Sequence, residues 1–215
     1  MARYESIMKI TGTIDNLVFY QLNGVNVVRK KSGFNSSDYK KKPSYQKVRE
    51  NSSEFGHCSK TGKMLRNVLQ DYLKDNGDKY LYQKFAKLMT EIKDLDLSSE
   101  RGKRTVDKGL ENAEAIIKLQ NFSFGKFDNV QKDIAKSESL FSITIEKIKK
   151  FDADELELVT LQPNFNHYTC EKHSQIVPLT KANFYEFDKF YKDSDTLLYF
   201  GVLKNGGEIL KLGFI

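Results

Sequence analysis

The strongest constraint on how this chain can fold is the dipeptide Asn23-Gly24. It sits between Leu17–Leu22 and Val25–Lys30, two runs rich in β-branched and aromatic side chains. A two-residue type I′ turn needs positive φ at both central positions, which Asn and Gly tolerate, so the runs are expected to fold back as an antiparallel hairpin. Upstream, residues 7–10 with Thr13-Ile14 make a third run, with Gly12 as a bulge and Asp15-Asn16 as the turn back. The expectation is a three-strand meander, which needs a cover on its apolar face because so few strands bury little alone.

A long helix is the nearest cover. Residues 44–74 carry helical periodicity, with Ser44 as the cap and Pro43 just before it. At 100° per residue, Val48, Phe55, Cys58, Leu65, Leu69, Tyr72 and Leu73 fall on one side within roughly 60° of a common direction. Arg49, Lys60, Lys63 and Lys74 fall opposite. Gly56 and Gly62 interrupt this pattern at about 1 kcal/mol each relative to Ala, so a kink or a close backbone approach is expected. After Asn76-Gly77, residues 79–92 read as a second helix through Leu81, Phe85, Leu88, Met89 and Ile92. Residues 106–119 read as a third, through Val106, Leu110, Ala113, Ile116 and Ile117. The helices are expected to form one layer over the meander.

From Phe122 the period changes to that of strands. Runs at 122–124, 140–145, 155–161, 165–170, 175–179, 196–203 and 208–214 read as seven strands, with one helical turn near 182–187. Asn205-Gly206-Gly207 joins the last two, and Pro163-Asn164 marks another turn. Alternation is clear in Phe141/Ile143/Ile145 and Leu156/Leu158/Thr160. The expected fold is therefore α+β. Residues 1–120 form a basic β-meander plus about three helices, and residues 121–215 form an antiparallel β-sandwich, immunoglobulin-like or fibronectin-like in shape. The chain has no Trp, so it lacks the Cys…Trp…Cys signature of true immunoglobulin domains.

At 215 residues there is room for one large or two small domains, each with a core. No run of about 18 apolar residues is present, so no membrane span is expected. The opening residues show no apolar secretory segment, and Cys58 and Cys170 are too few for a disulfide framework. These features point to a cytoplasmic protein. Charge is unevenly shared: residues 1–90 hold 17 Lys and Arg against 8 Asp and Glu, whereas residues 91–215 hold 18 against 21. A basic front half suits an anionic partner.

The candidate anion- or nucleic-acid-binding residues follow from that asymmetry. Arg29, Lys30 and Lys31 end the hairpin, and Lys40, Lys41 and Lys42 follow with Tyr39 and Tyr45 beside them. Arg49, Lys60 and Lys63 extend the set along the long helix. Cations interleaved with aromatics suit phosphate contact and base stacking. The competing reading is a solvated surface whose tyrosines pack on the meander, because no defined nucleic-acid-binding motif is matched.

Other constellations dissolve on inspection. Gly56-His57-Cys58-Ser59-Lys60-Thr61-Gly62-Lys63-Met64 imitates a phosphate-binding loop, but it has five residues between the glycines, Met64 where a hydroxyl is needed, and no preceding strand. His167, Cys170 and His173 would not all face one way from a strand, and structural zinc wants four ligands. His57 and Cys58, adjacent on a helix, make no dyad. Asp152, Asp154, Glu155 and Glu157 read as solvated charge. No catalytic residue, cofactor or metal is expected.

The pattern Gly12-Thr13-Ile14-Asp15-Asn16-Leu17-Val18-Phe19-Tyr20, then Val28-Arg29-Lys30-Lys31, Arg49-Glu50-Asn51, Glu54-Phe55-Gly56 and Gly62-Lys63, resembles a family of uncharacterised proteins from Bacteroidetes genomes. Arg101-Gly102-Lys103-Arg104-Thr105-Val106, Gly109-Leu110 and Leu119-Gln120-Asn121-Phe122-Ser123-Phe124 are also similar to it. The resemblance implies a two-part layout and no activity. On the residues, the expected function is a non-enzymatic structural or protein-interaction module. The alternative is a nucleic-acid-binding protein working through the basic hairpin, loop and helix.

Overall fold

The computed structural model describes residues 1–6, 8–33, 35–146, 153–180, 184–191 and 196–215. Ile7 of the expected third run, Asp152, and Ala182 of the expected helical turn lie outside the described residues. The chain separates into two compact units, Met1–Lys47 and Val48–Ile215, whereas the sequence suggested a division at 120/121.

The first unit is a four-stranded antiparallel sheet of β1 (Ala2–Arg3), β2 (Gly12–Ile14), β3 (Leu17–Leu22) and β4 (Val25–Lys30), in the order β1-β4-β3-β2. The β3–β4 turn uses positive φ at Asn23 (51°) and Gly24 (81°), as a type I′ geometry requires. A short helix, α1 (Ser36–Lys41), stands where the sequence showed only a loop. Its start is capped by Asn35, whose side chain accepts from the Ser37 N–H. Among the described residues of this unit, Val27 alone is buried.

α2 (Gln46–Val68), which belongs to the second unit from Val48 onward, runs without interruption through Gly56 and Gly62, and a break at Leu69 separates it from α3 (Gln70–Leu73). Gly62 marks a close approach: a β-carbon there would sit 3.3 Å from Met89 Cγ and 3.5 Å from Phe85 Cδ1. The buried line of α2 runs through Glu54, Cys58, Thr61, Gly62 and Leu65, so Phe55, expected on the apolar side, is 62% exposed. α4 (Leu81–Lys93) buries Leu81, Phe85, Leu88, Met89 and Ile92. The expected third helix is two, α5 (Val106–Leu110) and α6 (Ala113–Gln120). Asn112 caps α6 through the Glu114 N–H.

Among the described residues seven strands follow: β5 (Ala135–Glu138), β6 (Ser142–Glu146), β7 (Glu155–Asn164), β8 (Thr169–Pro178), β9 (Phe184–Asp188), β10 (Leu198–Asn205) and β11 (Glu208–Phe214). They form two antiparallel sheets, β11-β10-β7-β8 and β5-β6-β9. Ile143, Ile145, Tyr185 and Phe187 of the smaller sheet share a core with Leu156, Leu158, Tyr199 and Leu203 of the larger one. The opposite face of the larger sheet, with Val159, Leu161, Phe200, Val202, Leu212 and Phe214, packs against Leu65, Phe85, Met89 and Leu119 of the helices. The larger sheet is thus a middle layer. This is why the helices belong to the same unit as the strands.

Three local expectations are corrected. Phe122-Ser123-Phe124 is no strand. Its rings meet edge-on at 4.9 Å and plug the helix–sheet core, Phe122 reaching Phe85 and Phe124 reaching Phe200 and Phe214. The runs at 165–170 and 175–179 are a turn, closed by Tyr168 at φ 54°, and one long strand β8. The described part of the expected helical turn is strand β9, whose Tyr185 and Phe187 point inward at period two. Among the described residues, no helix is long and apolar enough to cross a membrane.

Candidate interaction surface

Nine of the 35 Lys and Arg residues, but three of the 29 Asp and Glu residues, lie in Met1–Lys47, which therefore carries +6. Val48–Ile215 holds 26 of each and is neutral. The whole net charge of the chain thus resides in the unit with almost no core. Arg29 and Lys30 end β4 and Lys31 follows, all exposed, with the Lys31 N–H donating to Asn16 O at 2.6 Å. Lys40 and Lys41 occupy the last turn of α1, where cations complement the helix C-terminus. Lys42 pairs with Asp38 at 2.7 Å.

The remaining candidates, Arg49, Lys60 and Lys63, belong to α2 in the second unit. They share a helix side but are spread over 14 residues, roughly 20 Å, and form a stripe more than a cluster. Lys60 Nζ lies 5.0 Å over the Tyr168 ring. Tyr39 and Tyr45, the aromatics expected to stack on bases, instead meet each other edge-on at 6.0 Å.

The densest polar arrangement of the second unit is one that sequence reasoning missed. Glu54, buried on α2, accepts from Lys93 Nζ at 2.8 Å, from Arg104 Nε at 2.9 Å and Nη2 at 2.8 Å, and from the Gly102 N–H at 2.7 Å. Burial pushes this carboxyl up, but the bonds from Arg104, Lys93 and Gly102 more than offset it and hold it at about 2. Nearby, Asp96 accepts from the N–H groups of Ser98, Ser99 and Thr105, folding residues 96–105 back over α2. His57 Nε2 accepts from the Val106 N–H at 2.9 Å, so its proton sits on Nδ1, 3.1 Å from Tyr168 Oη. Burial lowers the pKa of this imidazole. Glu54 and the His57 lone pair together hold residues 102–106 against α2. The sequence signal was Glu54 falling on the buried side of α2, with Arg101-Gly102-Lys103-Arg104 as its counterpart.

The other constellations are placed as follows. Gly56 to Lys63 lies wholly inside α2, where backbone N–H groups serve the helix and no loop exists to cradle a phosphate. His167 is in the turn before β8, while Cys170 packs on the helix-side core and His173 stacks on Phe190 at 3.5 Å. Among the described residues no group of three His, Cys, Asp or Glu side chains is placed to hold a metal. Glu157, expected to be solvated, is buried and accepts from Tyr72 Oη at 2.6 Å and Lys204 Nζ at 2.7 Å. Asp154 Oδ2 accepts from the Gly206 N–H, pinning the last hairpin.

In comparisons with known proteins, no family model matches the chain, and no curated protein or solved structure does so either.

Proposed function

We propose that this chain is a non-enzymatic protein-interaction module in which Val48–Ile215 is the scaffold and Met1–Lys47 the docking element. One observation carries the reading: the unit with one buried described residue also holds all of the net charge. A sheet that buries so little gains its stability where a partner covers it, and six surplus cations select an acidic one.

The strand order supports an immunoglobulin- or fibronectin-like reading of the scaffold. The first, second and fifth strands form one sheet, and the third, fourth, sixth and seventh form the other. This differs from the immunoglobulin constant-type partition in that the fourth strand pairs with the third instead of the fifth. Both faces of the larger sheet are covered, one by the chain's own helices and the other by the smaller sheet.

Nucleic acid is the alternative occupant, and capture from the native cell separates the two. The full chain is compared with Arg29→Glu/Lys30→Glu/Lys31→Glu, with half of each sample treated with nuclease. The protein reading predicts a discrete protein that survives nuclease and is lost in the variant. Capture that disappears with nuclease, and falls roughly 10³-fold or more between about 50 and 200 mM salt, belongs to phosphate contacts and overturns the reading.

A further inference from the structure

The docking face itself can be located, on the premise that Met1–Lys47 is the docking element. The register sets Ile14 opposite Leu17 and Leu17 opposite Lys30, so these three side chains stand in one row on one face of the sheet. Ile14 is 60% exposed and Leu17 44%. The next row on that face is Gly12, Phe19, Val28 and Ala2. Its two apolar centres are flanked by residues with no bulk, and nothing lies within 4 Å of where a Gly12 β-carbon would stand. Tyr4 packs on Phe19 with ring centroids 5.5 Å apart, so the open part of this face is the aliphatic row of Ile14 and Leu17 with Lys30 at its end. Arg29, opposite Val18, belongs to the other face of the sheet, and Lys30 has no ion pair among the described residues.

We infer that this face binds an acidic protein segment carrying apolar anchors: Ile14 and Leu17 meet the anchors, and Lys30, at the end of their row, takes a carboxylate. Charge complementarity selects an acidic occupant and opposes a second copy, whose own unit also carries +6. The chemistry of the apolar groups selects protein over nucleic acid. Base stacking needs open aromatic faces, but the exposed groups here are aliphatic, and Phe19 is met edge-on by Tyr4 at 5.5 Å.

The test uses the full chain and three fluorescent probes: a twelve-residue peptide of glutamates with two adjacent leucines, a twelve-residue polyglutamate, and a twelve-nucleotide oligothymidylate. Anisotropy is expected to show the leucine-bearing peptide binding about tenfold more tightly than polyglutamate. The exposed-residue variant Ile14→Ser/Leu17→Ser should abolish that difference, while Lys30→Glu should weaken both peptides. Equal binding of the two peptides, tighter binding of the oligonucleotide, or indifference to Ile14→Ser/Leu17→Ser each overturns the inference. If the peptides fail here while nuclease-resistant capture by the full chain persists, the face is wrong and the interaction reading stands. If that capture is lost to nuclease, both fall.

Discussion

Replacing Glu54 by Gln tests how the second unit is held together. Glu54 is 3% exposed, and the Lys93 side chain that faces it is 6% exposed. Removing the carboxylate leaves a buried ammonium and a guanidinium short of a partner, a change that costs about 3–5 kcal/mol when a buried pair is broken from one side. Part of the loss is recovered, because Asp94 already lies 2.6 Å from Lys93 and 3.2 Å from Arg104 and is half-exposed, which places the cost near the lower bound of about 3 kcal/mol. For a unit of this size about 3 kcal/mol lowers Tm by roughly 6–12 °C. The assay is thermal unfolding followed by circular dichroism, with Glu100→Gln as control, since the Glu100–Lys103 pair is solvent-exposed and screened by water. The pH dependence has a definite sign. Glu54 is held from an ordinary 4.5 to about 2 in the folded chain, so its stabilisation is complete above about pH 4.5 and is lost as pH falls towards about 2. The Gln variant should lack that acid-sensitive component. A Tm shift no larger than the control's, with unchanged acid sensitivity, would refute the claim that this cluster clamps residues 96–105 onto α2.

Three further outcomes follow from the same geometry. Burial lowers the His57 pKa, and its Nε2 needs its lone pair for the Val106 N–H, so its contribution is present above about pH 6.5 and is lost on acidification below it; His57→Gln should flatten the stability profile there. Gly109→Ala drives a β-carbon into the Ile92 carbonyl oxygen and should cost at least about 2 kcal/mol in denaturant unfolding, whereas Gly206→Ala meets nothing in space and suffers only from its positive φ. Tyr72→Phe removes the 2.6 Å bond to buried Glu157 but leaves Lys204 in place, and should cost about 2 kcal/mol by the same measurement.

Local chemistry was legible in the sequence where one residue type answers one backbone demand. Asn23-Gly24 announced its turn, and the Leu81 to Ile92 stripe announced α4. What stayed hidden was set by tertiary contact. Val159 and Leu161 alternate with Leu156 and Leu158 on β7, and Phe200 and Val202 with Tyr199 and Leu203 on β10, so both strands are apolar on two faces. That double burial marks a middle layer between helices and a second sheet, but periodicity scored one face at a time reads it as a sandwich with a solvated exterior. The same blindness applies to Glu54: a charge on the apolar side of a helix reads as an error until its distant partners, Lys93 and Arg104, are brought within 2.9 Å. The candidate cations were legible as residues. Their division between a charged unit with little core and a neutral packed one was not, because the boundary at Lys47/Val48 falls inside a single run of helix.

The most direct test of the account is lysine-reactivity footprinting of the full chain, free and in native cell extract treated with nuclease. Lys30 and Lys31 should become protected in the extract while Lys60 and Lys63 keep the reactivity of the free chain. Protection that vanishes with nuclease, or that falls on Lys60 and Lys63 while Lys30 and Lys31 stay reactive, would contradict it.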